Sequence, residues 1–422
     1  MIKRKKERKK KIYRRVIYFF ISILVVSAII LGYFFLRLYF PIRQSDIALD
    51  YNTSRQITDD DYLAVSGTDL VNRNGETVVL KGVNLGGWLL QEYWMCPVRG
   101  DPEISQWTYH ETIDVLEDRF GTDKTTQLVQ LYEDNWITEW DIQNIAELGY
   151  NAIRVPFWYK NFMSDASGTW LSDEHDDNPG FQTLDELIKT AGENGIYVIL
   201  DMHGCPGGQS KSHTSSSARE SELFENDKYQ DVMEELWLTI SSRYKDNPVV
   251  AMYDIMNEAQ EYEGDVSKDP RNIVYNRMVN AIQGTGDEHI IAIEAIWWLD
   301  KLPTPSQMNW TNVVYSLHPY DIEDKEGYCQ AAYEYSNEHN VPIYFGEFQD
   351  KYYWDECERL GFSATSWTYK GSTEMERAWF MYYSNKLLYV DVYNDPYWLI
   401  KIKWGSALKT KYFTEDTEAM AW

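Results

Sequence analysis

The sequence predicts an α/β fold, a closed (β/α)8 TIM barrel, and three observations support that prediction. Short runs of continuously apolar residues recur along the chain, amphipathic stretches separate most of them, and polar or aromatic residues stand where the runs end. Strands that are apolar throughout are typical of a parallel sheet covered by helices on both faces. Eight such units over about 350 residues fit a closed barrel better than an open doubly wound sheet.

The apolar runs define the predicted strands, which are Leu80–Leu85, Ala152–Phe157, Tyr197–Met202, Val249–Met256, His289–Ile296, Val313–Leu317, Ile343–Phe348 and Ser363–Trp367. Helical spacing is found between most of them, at Trp136–Leu148, Thr183–Asn194, Tyr229–Tyr244, Asn272–Gln283, Gln330–His339 and Met375–Leu388. A short β-hairpin is predicted before the barrel, with strands Tyr62–Val65 and Val78–Leu80 around a turn at Asn72–Gly75.

The N-terminal segment predicts a membrane anchor. Residues 1–15 hold ten basic side chains against one acidic side chain, and residues 16–36 are 21 uncharged, mostly apolar residues. As a helix, that run would be about 30 Å long, enough to cross the hydrocarbon core of a bilayer. A cleaved signal peptide has a shorter apolar region and a small-residue cleavage site, which this sequence does not offer. Because basic flanks stay in the cytoplasm, we expect a single-pass cell-membrane protein with residues 37–422 outside.

These features divide the chain into five predicted parts. They are a basic cytoplasmic head (1–15), a transmembrane anchor (16–36), a tether (37–61), the barrel domain (62–410) and a polar tail (411–422). We expect the outer domain to be monomeric and to contact the membrane through the anchor alone.

The charge and the motifs exclude several classes of protein. Beyond the basic head, the chain carries a net charge of −35, which repels nucleic acid and favours a neutral or cationic ligand. No P-loop, GxGxxG or HExxH pattern is present, so we expect no cofactor and no metal. The 17 Trp and 32 Tyr residues suit stacking on sugar rings, although most of them are expected to pack in the core.

The four cysteines permit three complete pairings, and the sequence does not choose among them. An outside location would allow disulfides. We expect at most one, and Cys96–Cys205 is the favoured pair because both residues fall in loops predicted at the same rim of the barrel.

Polar side chains at the ends of the predicted strands indicate a catalytic site, since the working residues of such barrels lie at the C-terminal ends of strands. Two of them are carboxyl groups, Glu258 after the fourth strand and Glu347 after the seventh. Retaining glycoside hydrolysis needs two carboxyl groups about 5–5.5 Å apart. We therefore expect Glu347 to be the nucleophile, held ionised by Arg154 and Tyr320, and Glu258 to be the acid/base, kept protonated by a less polar pocket.

The ordered motifs resemble glycoside hydrolase family 5, the cellulase-type barrel family with catalytic glutamates on strands four and seven. The resemblance covers roughly residues 62–390 and rests on Arg154, His203, Asn257, Glu258, His318, Tyr320, Glu347 and Trp367. It implies that Asn257 binds the sugar 2-hydroxyl, that Tyr320 and Arg154 position Glu347, and that Trp367 forms the floor of the −1 subsite.

Three further motifs resemble the exo-β-1,3-glucanase branch of that family: Lys81–Leu89, His203–Gly207 and Trp367–Lys370. That resemblance implies that Glu92 contacts the terminal sugar. Ala259 departs from the family, which often has proline there, and the loop that follows is very acidic. The expected substrate is a β-1,3-glucan, with β-1,4-glucans, β-1,6-glucans and glucosylated lipids as alternatives.

Two other functions remain open at this point. A transglycosylase that remodels glucan would use the same glycosyl-enzyme intermediate. A non-catalytic, membrane-tethered sugar receptor would keep the pocket, but such a relative would usually lose a catalytic glutamate or its supporting arginine, and this chain keeps all of them.

Overall fold

The computed structural model describes residues 56–422 apart from 102, 105, 217–220, 261, 263, 373–379, 385–388, 418 and 422, together with residues 6, 10, 13, 14, 17–28 and 32. Eight strands form the central barrel: β1 (Lys81–Asn84), β2 (Ala152–Trp158), β3 (Tyr197–Gly204), β4 (Val250–Asp254), β5 (Ile290–Glu294), β6 (Val313–Leu317), β7 (Ile343–Phe345) and β8 (Ser363–Ser366). Every neighbouring pair is parallel, and β8 pairs with β1 to close the barrel. The predicted barrel is therefore confirmed.

The helices that accompany the barrel are α1 (Tyr109–Phe120), α2 (Thr122–Trp136), α3 (Glu139–Glu147), α4 (Pro179–Glu193), α5 (Asp227–Tyr244), α6 (Pro270–Gly284), α7 (Pro305–Met308), α8 (Lys325–His339), α9 (Lys351–Leu360) and α10 (Tyr397–Lys403). Several begin with a side-chain cap and a proline in the first turn, as Asn178 and Pro179 do in α4. The cap satisfies a backbone N–H group that has no partner within the helix, and proline lacks that group.

The barrel interior has an apolar layer below a polar one. Successive strand residues point to opposite faces, so residues two apart share the interior. The lower layer contains Ala152, Ile199, Met252, Ala292, Val314 and Tyr344. Two residues further along the same strands stand Arg154, Asp201, Asp254, Glu294, Ser316 and Gly346. On each of these strands, therefore, the interior residue changes from an apolar core residue to a residue of the polar layer over two positions.

A hairpin packs with the lower layer, as Leu63 and Leu70 belong to the same apolar cluster. The predicted hairpin exists, but its second strand was placed wrongly. Strand Ala64–Ser66 pairs with Asp69–Val71 and not with residues 78–80. Gly67, at φ +67°, supplies the left-handed backbone that a two-residue turn requires, which the prediction overlooked.

Two of the predicted helices also need correction. The stretch Trp136–Leu148 is broken because Thr138 starts a new helix: its N–H and hydroxyl both donate to Asp141, at 2.7 Å each. The helix predicted for Met375–Leu388 lies mostly outside the described residues. Its described part holds the strand Tyr382–Tyr383, so a helix there is wrong.

The C-terminal segment packs on the barrel. Within the predicted polar tail, the strand Thr414–Glu415 pairs with Tyr382–Tyr383, and Phe413 is buried. Lys370, which follows β8, is also buried and donates hydrogen bonds to the carbonyl oxygens of Trp136 and Leu408. These contacts join the end of the chain to α2 and β8.

The predicted anchor lies only partly within the described residues. Residues 17–28 are helical and their side chains are exposed, whereas most of the basic head and residues 37–55 of the tether lie outside the described residues. Among the residues that were described, we find no helix that is both long enough and apolar enough to span a membrane.

The favoured disulfide does not form, because all four cysteines are buried and free. Two of the thiols face backbone groups instead. Cys96 Sγ accepts a hydrogen bond from the backbone N–H of Glu92 at 3.3 Å, and Cys205 Sγ donates to the carbonyl oxygen of Met202 at 3.8 Å.

Candidate active site

Arg154 lies at the centre of the polar layer and is fully buried. Its guanidinium contacts carboxylates from three other strands or strand ends: Asp254 at 2.9 Å, Glu347 at 2.6 Å and Asp201 at 3.2 Å. Burial alone would lower the pKa of Arg154, but these three carboxyl groups raise it well above its usual value. Arg154 is therefore a permanent cation, and no other side chain could pair with these groups in the same planar geometry.

The same guanidinium orients two amide side chains. It donates to Asn84 Oδ1 at 3.1 Å and to Asn257 Oδ1 at 2.9 Å. The amide nitrogen of Asn84 donates in turn to the carbonyl oxygen of Gly346 at 2.9 Å, next to Glu347. Because Asn257 Oδ1 faces Arg154, its Nδ2 faces His203 Nε2, which lies 3.3 Å away.

Glu347 is held by a donor on each oxygen. Arg154 donates to Oε1 at 2.6 Å and the Tyr320 hydroxyl to Oε2 at 3.0 Å. Its neighbour Gly346 cannot carry a side chain, since a Cβ there would lie 2.6 Å from Ser316 Oγ and 2.8 Å from His318 Nε2. Donors to both oxygens stabilise the ionised carboxylate, which is the state a nucleophile needs.

Glu258 occupies a different environment. Its backbone is in the left-handed region, at φ +38°, and its N–H donates to the two carboxylate oxygens of Glu294 at 3.1 and 3.0 Å. Its own Oε1 lies 3.1 Å from His318 Nδ1. Burial raises the pKa of Glu258, so the protonated form is favoured more than for a carboxyl group in water.

The two catalytic candidates lie close together. One carboxylate oxygen of Glu258, one of Glu347 and a ring nitrogen of His318 all lie within 4.8 Å of one another. Burial lowers the pKa of His318 to about 3, so its imidazole is neutral at physiological pH. Carboxylate oxygens and imidazole nitrogens are common metal ligands. Here, however, both oxygens of Glu347 already accept hydrogen bonds, and Arg154 places a positive charge nearby. The arrangement is suited to proton transfer and nucleophilic attack more than to binding a metal.

Trp367 and His203 form a stacked pair at one side of the site. Their ring centroids are 5.6 Å apart and their planes differ by 11°. His203 Nδ1 lies 2.6 Å from Asp201 Oδ2. Burial lowers the pKa of His203, but the charge and hydrogen bond of Asp201, together with the charge of Glu347, raise it overall. Gly86 lies against this pair, because a Cβ there would be 2.9 Å from the Trp367 ring.

Glu92 is buried and pairs with a histidine that sequence reasoning missed. Its Oε2 lies 3.1 Å from His213 Nε2 and accepts a hydrogen bond from Trp94 Nε1 at 2.8 Å, while Oε1 lies 3.9 Å from His203. Burial would raise the pKa of Glu92, but the hydrogen bond and charge of His213 lower it overall. The pKa of His213 is raised by the same contact against the effect of burial, so the two form an ion pair.

The structure places all nine predicted site residues in this region: Glu92, Arg154, His203, Asn257, Glu258, His318, Tyr320, Glu347 and Trp367. Sequence reasoning missed Asp254 and Glu294 because both fall inside the predicted runs Val249–Met256 and His289–Ile296, whereas in the structure each is the last residue of its strand. It also missed Gln209, whose Nε2 donates to the carbonyl oxygens of His203 and Asn257 at 2.8 Å each. Gln209 and His213 lie in a loop with no periodic pattern.

The family model described as Cellulase (glycosyl hydrolase family 5) matches residues 116–386. The chain belongs to glycosyl hydrolase family 5. The resemblance seen in the strand-end motifs is confirmed.

Individual relatives and solved structures are also similar to this chain. The chain is 29% identical over 266 residues to a β-xylosidase of Phanerodontia chrysosporium, covering 62% of this chain and 52% of that protein, so it spans about half of that relative's length. It is 24% identical over 303 residues to a probable glucan 1,3-β-glucosidase A of Aspergillus fumigatus, covering 67% of each chain. The structure of an endogalactoceramidase shares the fold, with a TM-score of 0.53 and 17% identity over 74% of this chain and 75% of that one.

Replacing Arg154 tests its central role in this family 5 site. We expect Arg154→Met to lower the free energy of unfolding by roughly 3–5 kcal/mol at pH 8, because three buried carboxyl groups lose their cation. The loss should be smaller at pH 5, because Asp254, whose pKa burial raises to about 7, is protonated there and needs the cation less. Arg243→Met is the matched control, because Arg243 forms a partly exposed pair with Asp185 and should cost less than about 1 kcal/mol. Equal losses in denaturant titrations of the two variants would contradict this role.

Proposed function

We propose that this family 5 enzyme is a retaining β-glycosidase that hydrolyses β-glucan, with β-1,3 linkages favoured. The observation that carries the proposal is the pair of carboxyl groups, which have oxygens within 4.8 Å of each other: Glu347 has a donor on each oxygen, and burial raises the pKa of Glu258. Inverting enzymes leave about 6.5–9.5 Å between their carboxyl groups, which makes room for a water molecule. The shorter separation favours direct attack by a carboxylate.

The proposed reaction has two displacements. Glu347 attacks the anomeric carbon while Glu258 gives its proton to the leaving glycosidic oxygen, forming a covalent glycosyl-enzyme. Glu258, now ionised, then takes a proton from water, and the hydroxide oxygen bonds to the anomeric carbon as the bond to Glu347 breaks. Arg154 and Tyr320 support Glu347 both as an attacking carboxylate and as a leaving group.

The choice of β-glucan rests on the sugar-facing residues and on the relatives. Glu92, paired with His213, and the stacked Trp367 supply one carboxylate and one aromatic face for a hexose. The motif around Asn84–Glu92 favours a β-1,3-glucan, and one relative is named a probable glucan 1,3-β-glucosidase. Another is named a β-xylosidase, so a xyloside is the competing substrate.

Product analysis tests this proposal. The purified full-length chain would be incubated with laminarin, lichenan, cellulose and an aryl β-xyloside, and the products would be resolved by chromatography. We expect glucose to be released from laminarin. Products longer than the substrate would favour the transglycosylase, and binding without turnover would favour the sugar receptor. Turnover of the xyloside alone would refute the glucan assignment.

Two substitutions test the mechanism. Glu347→Gln should lower turnover of an aryl β-glucoside by at least about 10³-fold and prevent trapping by a 2-fluoro sugar, because no nucleophile remains.

Glu258→Ala should lower turnover by roughly 10²–10⁴-fold for glucosides with poor leaving groups and far less for the dinitrophenyl glucoside, which needs little acid help. Added azide should restore turnover of this variant. Glu338→Gln, on the exposed side of α8, is the control. Normal trapping of the Glu347 variant would refute its assignment as the nucleophile.

We also propose that residues 16–36 anchor the enzyme in the cell membrane, with the barrel outside. The basic residues before this run and its 21 uncharged residues support the proposal. Deletion of residues 1–36 should move the chain from the membrane fraction to the aqueous fraction of broken cells. A full-length chain found in the aqueous fraction without detergent would refute the anchor.

A further inference from the structure

Glu294, the last residue of β5, contacts the candidate acid/base through the backbone. It is 1% exposed, and both of its carboxylate oxygens accept the N–H of Glu258, at 3.1 and 3.0 Å. Its own carbonyl oxygen accepts a hydrogen bond from the Tyr275 hydroxyl of α6 at 3.2 Å. This carboxyl group is therefore fixed in place and directed at the Glu258 turn.

The backbone around this contact is strained in two places. Glu258, at φ +38°, and Ile296, at φ +58°, both adopt left-handed conformations that non-glycine residues avoid, the β-branched isoleucine most of all. The carbonyl oxygen of Ile296 accepts the backbone N–H of His318 at 2.6 Å. Such conformations persist only where neighbouring contacts hold them, and the Glu294 carboxyl group supplies that contact for Glu258.

His318 links the side chains of Glu258 and Glu294. His318 Nδ1 lies 3.1 Å from Glu258 Oε1 and 3.4 Å from Glu294 Oε1. His318 Nδ1 can hydrogen-bond to only one of the two carboxyl groups at a time, so they compete for it. Burial, with the charges of Asp254 and Glu258, raises the pKa of Glu294 well above its usual value, so this carboxyl group keeps its proton more readily than one in water.

We propose that Glu294 is a positioning residue for acid/base catalysis: it holds the Glu258 turn in its left-handed conformation and so keeps the Glu258 carboxyl group beside His318 and Glu347. The inference rests on the proposed function, in which Glu258 protonates the leaving oxygen. Other charged or titratable groups that face the pair are Glu92, Arg154, His203, Asp254, Glu347 and, against Glu92, His213. None of these accepts the Glu258 N–H in a hydrogen bond that the structure describes.

The test separates general-acid loss from simple damage to the fold. Purified full-length variants would be assayed on aryl β-glucosides whose leaving groups range from phenol to 2,4-dinitrophenol. Glu294→Ala removes the acceptor, so kcat/KM for the phenyl glucoside should fall by roughly 30–100-fold and for the dinitrophenyl glucoside by less than about 5-fold. Glu294→Gln keeps one acceptor oxygen and should recover most of the phenyl glucoside activity.

The pH profile gives a second readout. In Glu294→Ala a displaced Glu258 no longer supplies the acid, so we expect the basic limb of kcat/KM against pH for the phenyl glucoside to flatten. Glu294→Gln keeps an acceptor for the Glu258 N–H, so its basic limb should stay where it is in the wild-type enzyme. Thermal unfolding and circular dichroism of each variant would show whether it folds, and the glutamine variant keeps the test valid if the alanine variant does not.

Asp287→Asn is the matched control. Asp287 is a buried carboxyl group just before the opposite end of β5, where it pairs with His289 at 2.7 Å. This variant should lose stability without changing the ratio of the two kcat/KM values. Equal losses on both glucosides in Glu294→Ala, a basic limb that this variant leaves unchanged, or a Glu294→Gln variant that recovers no activity would overturn the inference. A wild-type enzyme that cleaves aryl glucosides but no glucan would instead refute the proposed substrate, and the comparison of leaving groups would still decide the role of Glu294.

Discussion

The site depends on one buried cation. Arg154 is the side chain at which β1, β2, β3, β4 and the end of β7 meet, through Asn84, Asp201, Asp254, Asn257 and Glu347. A buried ion pair is stable only when its geometry is nearly ideal and its remaining hydrogen-bonding groups are satisfied. The guanidinium meets that condition because its five N–H donors lie in one plane and reach several strands at once. Closure of the barrel and alignment of the nucleophile are therefore parts of the same network.

The two glutamates proposed as catalytic show how the same side chain can take opposite roles. Glu347 accepts hydrogen bonds from a cation and a phenol hydroxyl, one on each oxygen. Glu258 has a neutral imidazole beside one oxygen, and its backbone N–H is bound by a second carboxyl group, Glu294. Burial raises the pKa of Glu258. The division of labour proposed for double displacement follows from these environments, not from the residue type.

The sequence predicted the parts of the fold that depend on regular spacing. Apolar runs predicted all eight strands. Polar residues that follow the apolar layer, such as Arg154 and Glu347, were found because that layer ends at the same interior level on each strand. Features set by a single local contact were not predicted: the break before α3 comes from the Thr138 cap, and the hairpin partner from a turn at Gly67. His213 reaches the site from an irregular loop, and no periodicity marks such a residue.

The acidic character of the site suits the charge of the reaction. Glycoside cleavage passes through a transition state with positive charge on the sugar ring, and oriented negative groups stabilise that charge where it develops. In the free enzyme Arg154 pairs with three of these carboxyl groups, and burial raises the pKa of one of them, Asp254, to about 7, so that the group can be buried. A neutral polysaccharide can enter such a mouth without repulsion, whereas a polyanion would be rejected. Arg154 thus has two effects: it stabilises the barrel, and it orients the Glu347 carboxylate toward the position where positive charge would develop on the sugar ring.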